Sequence, residues 1–185
     1  MYRTDNHKQS KLQILLKEDR KLFHSRDLAL LWEIDNKNTL YTSIKRYVKK
    51  GILNPIHKGF YSTISLDRFD PFSLGVSFLH QYAYISTETV LARAGIIQQD
   101  LNYITLVSSL SKKFSIGEQR YFCRKMKDKL LYQGMGIVDK SNYKEAETER
   151  AVADLLYFNP NYYFDNAGQI DWEKVKYIQR KAGFI

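Results

Sequence analysis

One segment, Asn38–Ser62, constrains the fold of this chain more than any other. Its sequence is NTLYTSIKRYVKKGILNPIHKGFYS. Apolar side chains at i, i+4, i+7 and i+8 predict a helix with one buried stripe, formed by Leu40, Ile44, Tyr47 and Val48. Gly51 follows the last turn, at the position where a left-handed residue commonly ends a helix. Ile52–His57 and Phe60–Thr63 are then typical of two strands joined at Lys58-Gly59. This order predicts the recognition helix and wing of a winged helix-turn-helix.

Two shorter helices are predicted before this segment. Lys8–Lys17 has leucines at helical spacing, and RDLALLW follows Ser25, which we expect to be its N-cap. Between them, Lys21–His24 is a short connector that we expect to pair with the wing as a strand. Asn38 is the expected N-cap of the third helix.

The polar side of the third helix carries residue types that recognise DNA. Amide and hydroxyl groups near the N-terminus of a recognition helix contact base edges, and cations further along reach phosphates. Arg26, in the first turn of the second helix, would contact the DNA backbone, and Lys58 at the wing tip would reach the minor groove. The predicted DNA-binding residues are Arg26, Asn38, Thr39, Tyr41, Thr42, Lys45, Arg46, Lys49 and Lys58.

The charge distribution agrees with a polyanionic partner. The 185 residues have a net charge of +9. Residues 1–70 hold fourteen Lys and Arg against eight Asp and Glu, a surplus of six, whereas residues 71–185 have a surplus of three. Neutralisation of phosphates supplies most non-specific affinity for nucleic acid. A basic protein without such a partner remains the alternative from charge alone.

Several classes of protein are disfavoured by composition. A single cysteine, Cys123, excludes an internal disulfide and a cysteine-based zinc site, and the four histidines are too scattered for metal ligation. There is no run of about 18 apolar residues and the first residues are polar, so we expect no signal peptide, no membrane partner and a cytoplasmic, nucleoid-associated protein. We expect neither a metal nor a cofactor.

The chain is expected to have two domains of α+β class. Asp70-Pro71 is a turn signal at the end of a polar stretch. We therefore predict a winged helix-turn-helix over 1–68 and a mixed α/β domain over 69–185, with a small sheet and flanking helices.

The second domain has clear helical and strand patterns. Tyr103–Ser108 is dense in β-branched residues and predicts a strand, as do Gln119–Arg124 and Gly136–Val138. Four helices are predicted in this domain: Phe72–Tyr82, Thr87–Gly95, Glu145–Tyr157 and Asp171–Ala182. We expect Ser86 to be the N-cap of the second of these helices.

A basic run within residues 112–129 has three open interpretations. It extends the DNA footprint, it binds an acidic protein or RNA, or it is an ordinary solvated surface. The cations of this secondary patch are Lys112, Lys113, Arg120, Arg124, Lys125 and Lys127.

No catalytic motif is present, and we expect no enzymatic activity. The sequence lacks a phosphate-binding glycine loop, a nucleophile elbow and a zinc-protease motif. Glu149 and Asp154 do not face one another on a helix, so a role in ion pairs or capping is favoured over catalysis. The basic neighbours of Cys123 suggest a lowered thiol pKa, although a lone cysteine is usually a small buried side chain.

In the order of these segments, the chain resembles the AbiEi-like antitoxins of type IV toxin–antitoxin systems, which act in abortive infection. Gly59-Phe60-Tyr61 is similar to that family's "rrGvY" ending of the wing. AYISTETVLARAGII at 83–97 is similar to "yiS…SAL…hGL", and ETERAVADLLY at 147–157 to "ERAllDll". Thr89-Val90 replaces the usual Ser-Ala, and Arg93-Ala94-Gly95 the usual His-Gly.

The resemblance implies an autorepressor that binds operator repeats in double-stranded DNA ahead of its own operon. It further implies a second domain that counteracts a nucleotidyltransferase-type toxin without necessarily forming a stable complex. Two alternatives come from other classes of protein. One is a protein-interaction module with a winged-helix scaffold and no specific DNA target, and the other, less favoured, is an enzyme acting on nucleic acid.

Overall fold

The structure, a computed structural model, describes residues 10–185. The chain divides into two compact units, one ending at Phe69 and the other running from Asp70 to Ile185. The division lies directly before the Asp70-Pro71 turn signal, one residue after the predicted bound at residue 68. Both units combine helices with a sheet, so the fold is mixed α+β.

The first unit packs three helices with a three-stranded antiparallel sheet. The strand order is β1-β3-β2, so the connector before the second helix forms the outer partner of the hairpin. Leu22 of β1 lies opposite Ser62 of β3, which confirms the predicted pairing. The elements are α1 (Lys11–Lys17), β1 (Leu22–His24), α2 (Ser25–Leu31), α3 (Lys37–Lys49), β2 (Asn54–His57), β3 (Phe60–Ser62) and a 3-10 turn (Leu66–Arg68).

A single apolar cluster holds this unit together. Its buried members come from every helix and from β1, and the most enclosed are Phe23 and Leu28, with no exposed surface. The remaining buried members are Leu15, Trp32, Leu40, Ile44, Tyr47 and Leu53. Because all of the buried positions predicted for α3 except Val48 belong to this cluster, the opposite side of α3 faces away from it.

Three predicted features of the first-unit helices were wrong in detail. The N-cap of α3 is Asn36, not Asn38: its Oδ1 accepts a hydrogen bond of 3.1 Å from the amide of Thr39. The N-cap of α2 is His24, not Ser25, because the Asp27 carboxylate accepts from the His24 amide at 2.7 Å. The first helix begins at Lys11, after the Ser10 cap, and Lys8 lies outside the described residues.

The second unit is built on a six-stranded mixed sheet of order β6-β7-β5-β4-β9-β8. The pairs β5–β7 and β4–β9 are parallel, and the other neighbours are antiparallel. Its elements are α4 (Pro71–Leu79), β4 (Ala83–Ile85), α5 (Glu88–Arg93), β5 (Tyr103–Ser108), β6 (Lys112–Ile116), β7 (Gln119–Lys125), α6 (Asp128–Leu131), β8 (Ile137–Asp139), β9 (Lys144–Ala146), α7 (Thr148–Phe158), a 3-10 turn (Ala167–Gln169) and α8 (Trp172–Ala182).

The structure confirms the predicted strand over Tyr103–Ser108 and corrects the bounds of three helices. Helix α4 ends at Leu79, because His80 takes a left-handed conformation with φ of 53°. Helix α7 begins at Thr148 rather than Glu145, since Glu145 pairs with both Val138 and Ile85 inside the sheet. The predicted cap Ser86 is not the N-cap of α5, which begins at Glu88 after Thr87.

Helices cover both faces of this sheet. On one face Gly75 of α4 packs against the ring of Tyr121 on β7. On the other face the Thr89 side chain of α5 accepts from the Thr105 amide of β5 at 2.7 Å. Since side chains alternate along a strand, Tyr103, Thr105 and Val107 share the face of α5.

A fully buried ion pair joins α7 to the rest of the unit. Arg150 and Asp154 have no exposed surface, and Arg150 Nε donates to Asp154 Oδ1 at 2.8 Å. Arg150 also donates to the carbonyls of Gln133 and Met135, and to the Tyr84 hydroxyl. The Ser86 hydroxyl donates to the second Asp154 oxygen at 2.7 Å. Every charge is therefore hydrogen-bonded, as burial requires.

A candidate nucleic-acid interface

The outer side of α3 presents a continuous polar stripe. Asn38, Thr42, Lys45 and Lys49 follow one another at i, i+4, i+7 and i+11, and all four are exposed. They lie opposite the buried stripe of Leu40, Ser43, Ile44 and Tyr47. With a rise of about 1.5 Å per residue the stripe extends for roughly 16 Å. It carries neutral hydrogen-bonding groups at its N-terminal end and two cations towards its C-terminal end.

Three further predicted residues, Thr39, Tyr41 and Arg46, flank this stripe and are exposed. The Thr39 hydroxyl donates to the Asn36 cap at 3.3 Å, and it therefore also serves the helix end. Tyr41 is 52% exposed, which places it on the surface rather than in the core. The Arg46 guanidinium lies 5.9 Å from the ring of Tyr47 and leaves its charge exposed.

Tyr41 lies close to the sheet of the same unit. The pKa of Tyr61, on β3, is raised by burial and, secondarily, by the neighbouring Tyr41 phenol. The Tyr61 hydroxyl therefore remains protonated near neutral pH and can donate a hydrogen bond.

The other two predicted residues, Arg26 and Lys58, belong to segments that a backbone hydrogen bond joins. The amide of Ser25 donates to the carbonyl of Gly59 at 2.9 Å, which joins the start of α2 to the hairpin turn. Arg26 and Lys58 are the chain neighbours of these two residues, and both are exposed. Gly59 has φ of 76°, a conformation that suits glycine at this turn. All nine predicted DNA-binding residues are thus on the surface.

The secondary basic patch does not form one surface. In the β6–β7 hairpin Lys112 lies opposite Cys123, and Lys113 lies opposite Phe122. Because successive side chains point to opposite faces, Lys112 and Lys125 lie on the α4 face, with the Lys112 ammonium 4.5 Å from the ring centroid of Phe78. Lys113, Arg120 and Arg124 lie on the other face. Lys127 is beyond β7, at the N-cap of α6.

Arg124 differs from the other cations of this patch because it is only partly exposed and belongs to an ion pair. Its guanidinium pairs with the carboxylate of Glu88, which is 4% exposed. The second carboxylate oxygen of Glu88 and Nε of Arg124 are buried without a hydrogen-bond partner within residues 10–185. This ion pair fixes Arg124 against the start of α5.

Two aromatic residues of this face were not predicted to belong to a site. Tyr103 and Phe122 lie between the cations, with ring centroids 6.4 Å apart and planes at 78°. Their sequence signal is weak, since each occupies an ordinary strand position. Only the parallel register, which places Tyr103 beside Arg120, reveals the combination.

Cys123 is the small buried side chain expected of a lone cysteine, and its basic neighbours do not bring its pKa below the usual value. Burial raises the pKa of the thiol to about 12, and Lys112 only partly opposes this. The side chain has no exposed surface, and Sγ lies 3.3 Å from the Leu110 carbonyl. A protonated, enclosed thiol is unsuited to nucleophilic chemistry at neutral pH.

The carboxylates considered as a catalytic pair have separate structural partners. Asp154 bonds to Arg150, and Glu149 bonds to Lys174 at 2.9 Å. Burial raises the pKa of Asp154, while Arg150 and the hydrogen bond from Ser86 oppose that rise. Across residues 10–185, no group of three His, Cys, Asp or Glu side chains is arranged to hold a metal ion. None of the helices described for these residues is long and apolar enough to cross a membrane.

Comparison with known proteins gives a fold relationship and no family. No family model matches the sequence, and no curated protein matches it. Among solved structures, the crystal structure of the Rv2827c protein from Mycobacterium tuberculosis is similar to this chain, with a TM-score of 0.53 and 10% sequence identity. The match covers 92% of this chain and 71% of that one. At this identity the likeness concerns the fold alone.

Proposed function

We propose that the first unit is a winged helix-turn-helix that binds duplex DNA, with α3 in the major groove and the Lys58-Gly59 turn as its wing. The observation that carries this proposal is the exposed stripe of α3 opposite a fully packed apolar stripe. A major groove about 12 Å wide admits one α-helix. Asn38 and Thr42 then face base edges, and Lys45 and Lys49 reach the flanking phosphates.

The position of the hairpin supports the same assignment. The bond between the Ser25 amide and the Gly59 carbonyl holds the turn at the start of α2. Arg26 and Lys58, the exposed chain neighbours of these two residues, then supply cations suited to the DNA backbone and the adjacent minor groove. In this proposal, α3, Arg26 and Lys58 together contact base edges in the major groove, phosphates of the backbone and the adjacent minor groove.

On the basis of its sequence resemblance, we further propose that the protein is an autorepressor of AbiEi-like antitoxin type. In this proposal the first unit locates operator repeats ahead of its own operon, and the second unit counteracts a nucleotidyltransferase-type toxin. The protein is then a regulator rather than an enzyme. An interaction module without a DNA target remains the alternative.

Gel retardation with DNA from the protein's own promoter tests the DNA-binding proposal. The full chain should retard this DNA in the presence of excess unrelated duplex, and affinity should fall steeply between about 50 and 200 mM salt. The double variant Thr42→Ala/Arg46→Ala should lose specific retention. Arg68→Ala is the matched control, because Arg68 is an exposed cation of the same unit outside the proposed interface.

Unchanged retention by Thr42→Ala/Arg46→Ala would overturn the assignment of α3 to the groove. Equal losses for the double variant and for Arg68→Ala would indicate only general charge attraction. Capture of a partner protein by the full chain, with no retention of promoter DNA, would favour the interaction-module alternative.

A growth assay tests the antitoxin part separately. The proposal requires a nucleotidyltransferase-type toxin encoded beside this chain, and co-expression of the full chain with that toxin should restore growth that the toxin alone arrests. The Thr42→Ala/Arg46→Ala variant, expressed from an unrelated promoter, should still restore growth, because its substitutions lie outside the second unit. Failure of the wild-type chain to restore growth would refute the antitoxin role without affecting the DNA-binding proposal.

A further inference from the structure

We propose that one face of the second unit's sheet, at β5, β7 and β6, binds single-stranded nucleic acid. The binding face is defined by Tyr103, Lys113, Arg120, Phe122 and Arg124. This site is separate from α3 and the hairpin, and it takes a different form of nucleic acid. It goes beyond the proposed regulatory function.

The register of three strands brings these side chains together. Tyr103 pairs with Arg120 between parallel β5 and β7, and Lys113 pairs with Phe122 between antiparallel β6 and β7. Arg120, Phe122 and Arg124 alternate along β7 and therefore share one face. Arg120 and Arg124 lie four residues apart, which places them roughly 13 Å from one another along the strand.

The face contains a groove of about 440 Å³ with two cations and no carboxylate in its lining. Lys113 and Arg120 are exposed, whereas Tyr103 and Phe122 are partly covered. The remaining polar lining groups include the Asn102 amide and the Ser115 hydroxyl. A ligand that fits this lining carries negative charge and flat apolar surface at the same time.

Tyr103 supplies the accessible aromatic surface. The ring of Phe122 is already flanked by cations, with Lys113 Nζ at 5.0 Å and the Arg124 guanidinium carbon at 4.8 Å from its centroid. Phe122 also contacts Tyr103 at its edge. Phe122 therefore orients the cations and supports Tyr103, on which a base can stack.

Arg124 is a positioning residue in this arrangement. Its pairing with buried Glu88 neutralises much of its charge and fixes its guanidinium beside Phe122. Lys113 and Arg120 have no ion pair among the described residues and are the phosphate contacts. Stacking combined with a few phosphate contacts is how sequence-tolerant single-strand binding surfaces work.

A duplex does not suit this face, because its bases are stacked inside the helix and cannot reach Tyr103. Splayed bases of a single strand can stack on an aromatic ring. The same chemistry is available from RNA and from single-stranded DNA, and the experiment compares the two. An acidic protein would use the cations but would not need the Tyr103 ring.

Fluorescence anisotropy with labelled oligonucleotides of about eight nucleotides tests the proposal. The full chain, carrying Thr42→Ala/Arg46→Ala to weaken duplex binding by α3, is titrated with single-stranded RNA, with single-stranded DNA and with a duplex of the same sequence. Both single strands, or RNA alone, should bind more tightly than the duplex. A preference for RNA assigns the ligand as RNA, and equal affinities assign it as either single strand.

Matched charge variants on the two faces make the test specific. Lys113→Gln/Arg120→Gln should weaken single-strand binding at least tenfold and reduce the slope of log affinity against log salt by about 1.4. Lys112→Gln/Lys125→Gln removes the same charge from the opposite face of the same strands and should change affinity less than twofold. Tyr103→Ala should lose about tenfold, whereas Tyr103→Phe retains the ring and the affinity.

Equal losses from the two charge pairs would overturn the proposal, as would unchanged affinity in Tyr103→Ala with an unaltered melting temperature. Absence of single-strand binding by the full chain would also refute it, whatever the result with promoter DNA. Capture of an acidic protein that depends on Lys113 and Arg120 but not on the Tyr103 ring would assign the face to a protein partner instead.

Discussion

Arg150 Nε lies 2.8 Å from Asp154 Oδ1, and neither side chain has any surface exposed to solvent. The pair is held from outside α7 as well, because Tyr84 and Ser86 each bond to one of its members. Both bonds reach back more than sixty residues along the chain, so the pair connects helix α7 to strand β4 and the residue after it. A polar network of this kind is strong only while it is complete.

Removal of either side chain of the Arg150–Asp154 pair should therefore strongly destabilise the second unit. Asp154→Ala leaves the Arg150 charge buried and unpaired, and should lower the free energy of unfolding of the second unit by about 3–5 kcal/mol. Each unit contains one tryptophan, so Trp172 fluorescence in a Trp32→Phe background reports urea unfolding of the second unit alone. Glu173→Ala, which breaks the exposed pair with Lys176, is the control and should leave the midpoint nearly unchanged. A loss below about 1 kcal/mol for Asp154→Ala would contradict the role of the network.

The two asparagines before α3 should separate stability from recognition. Asn36→Ala removes the cap that binds the Thr39 amide and should cost the first unit about 1 kcal/mol. Asn38→Ala, at an exposed position inside the helix, should leave stability unchanged and weaken promoter binding. Trp32 fluorescence in a Trp172→Phe background measures the first effect, and gel retardation the second. If Asn38→Ala lowered the stability of the first unit and Asn36→Ala did not, Asn38 would be the N-cap of α3.

Gly75 should resist the substitution that usually stabilises a helix. An alanine in a helix is favoured over glycine by up to about 1 kcal/mol. A Cβ at Gly75, however, would overlap the ring of Tyr121, so Gly75→Ala should instead destabilise the second unit by about 1–3 kcal/mol. Gly134→Ala is the matched control, since a Cβ there meets no atom within 4 Å. A higher melting temperature for Gly75→Ala would show that α4 moves freely away from the sheet.

Cys123 should be inert in the native chain. The buried thiol, whose pKa is raised to about 12, is nearly all protonated at pH 8. A chromogenic disulfide reagent should therefore label the chain rapidly in denaturant and very slowly without it. Rapid labelling of the native chain with a midpoint between pH 7 and 8 would show that the thiol is accessible and acidic.

The same pKa shift gives a sign for the dependence of stability on pH. The thiol of the unfolded chain ionises near 9, below the pKa of the folded one. The stability that the protonated thiol contributes is therefore complete below pH 9 and falls as the pH rises towards 12. Cys123→Ala should show a smaller loss of stability than the wild type over that range in urea unfolding monitored by Trp172.

Sequence periodicity predicted the elements whose burial follows a repeating pattern. Helix α3 could be predicted from Leu40, Ile44 and Tyr47, because its core contacts lie on one stripe. Strand β5 could be predicted from its β-branched residues. The helix ends were less predictable. Asn36 and Asn38 are both good caps, and the choice depends on where the chain turns after α2, which local sequence does not specify.

The binding face of the second unit could not be predicted for a different reason. Its basic residues were visible as a run, but their separation onto two faces depends on which residues pair across β6 and β7. A shift of one residue in that register would exchange Lys112 and Lys113 between the faces. Likewise Lys144–Ala146 forms a strand because β4 and β8 lie on either side of it, and β4 is about sixty residues away in sequence.

The hydrogen bond between Ser86 and Asp154 also bears on how the chain is made. A ribosome delivers Tyr84 and Ser86 long before α7, so these polar groups wait for nearly seventy residues of synthesis without their final partners. The delay is shorter in the first unit, because the paired strand residues that are farthest apart in its sequence are Leu22 and Ser62. A nascent chain can therefore complete the strand pairing of the first unit early, whereas the second unit cannot complete its buried polar network until Asp154 has emerged.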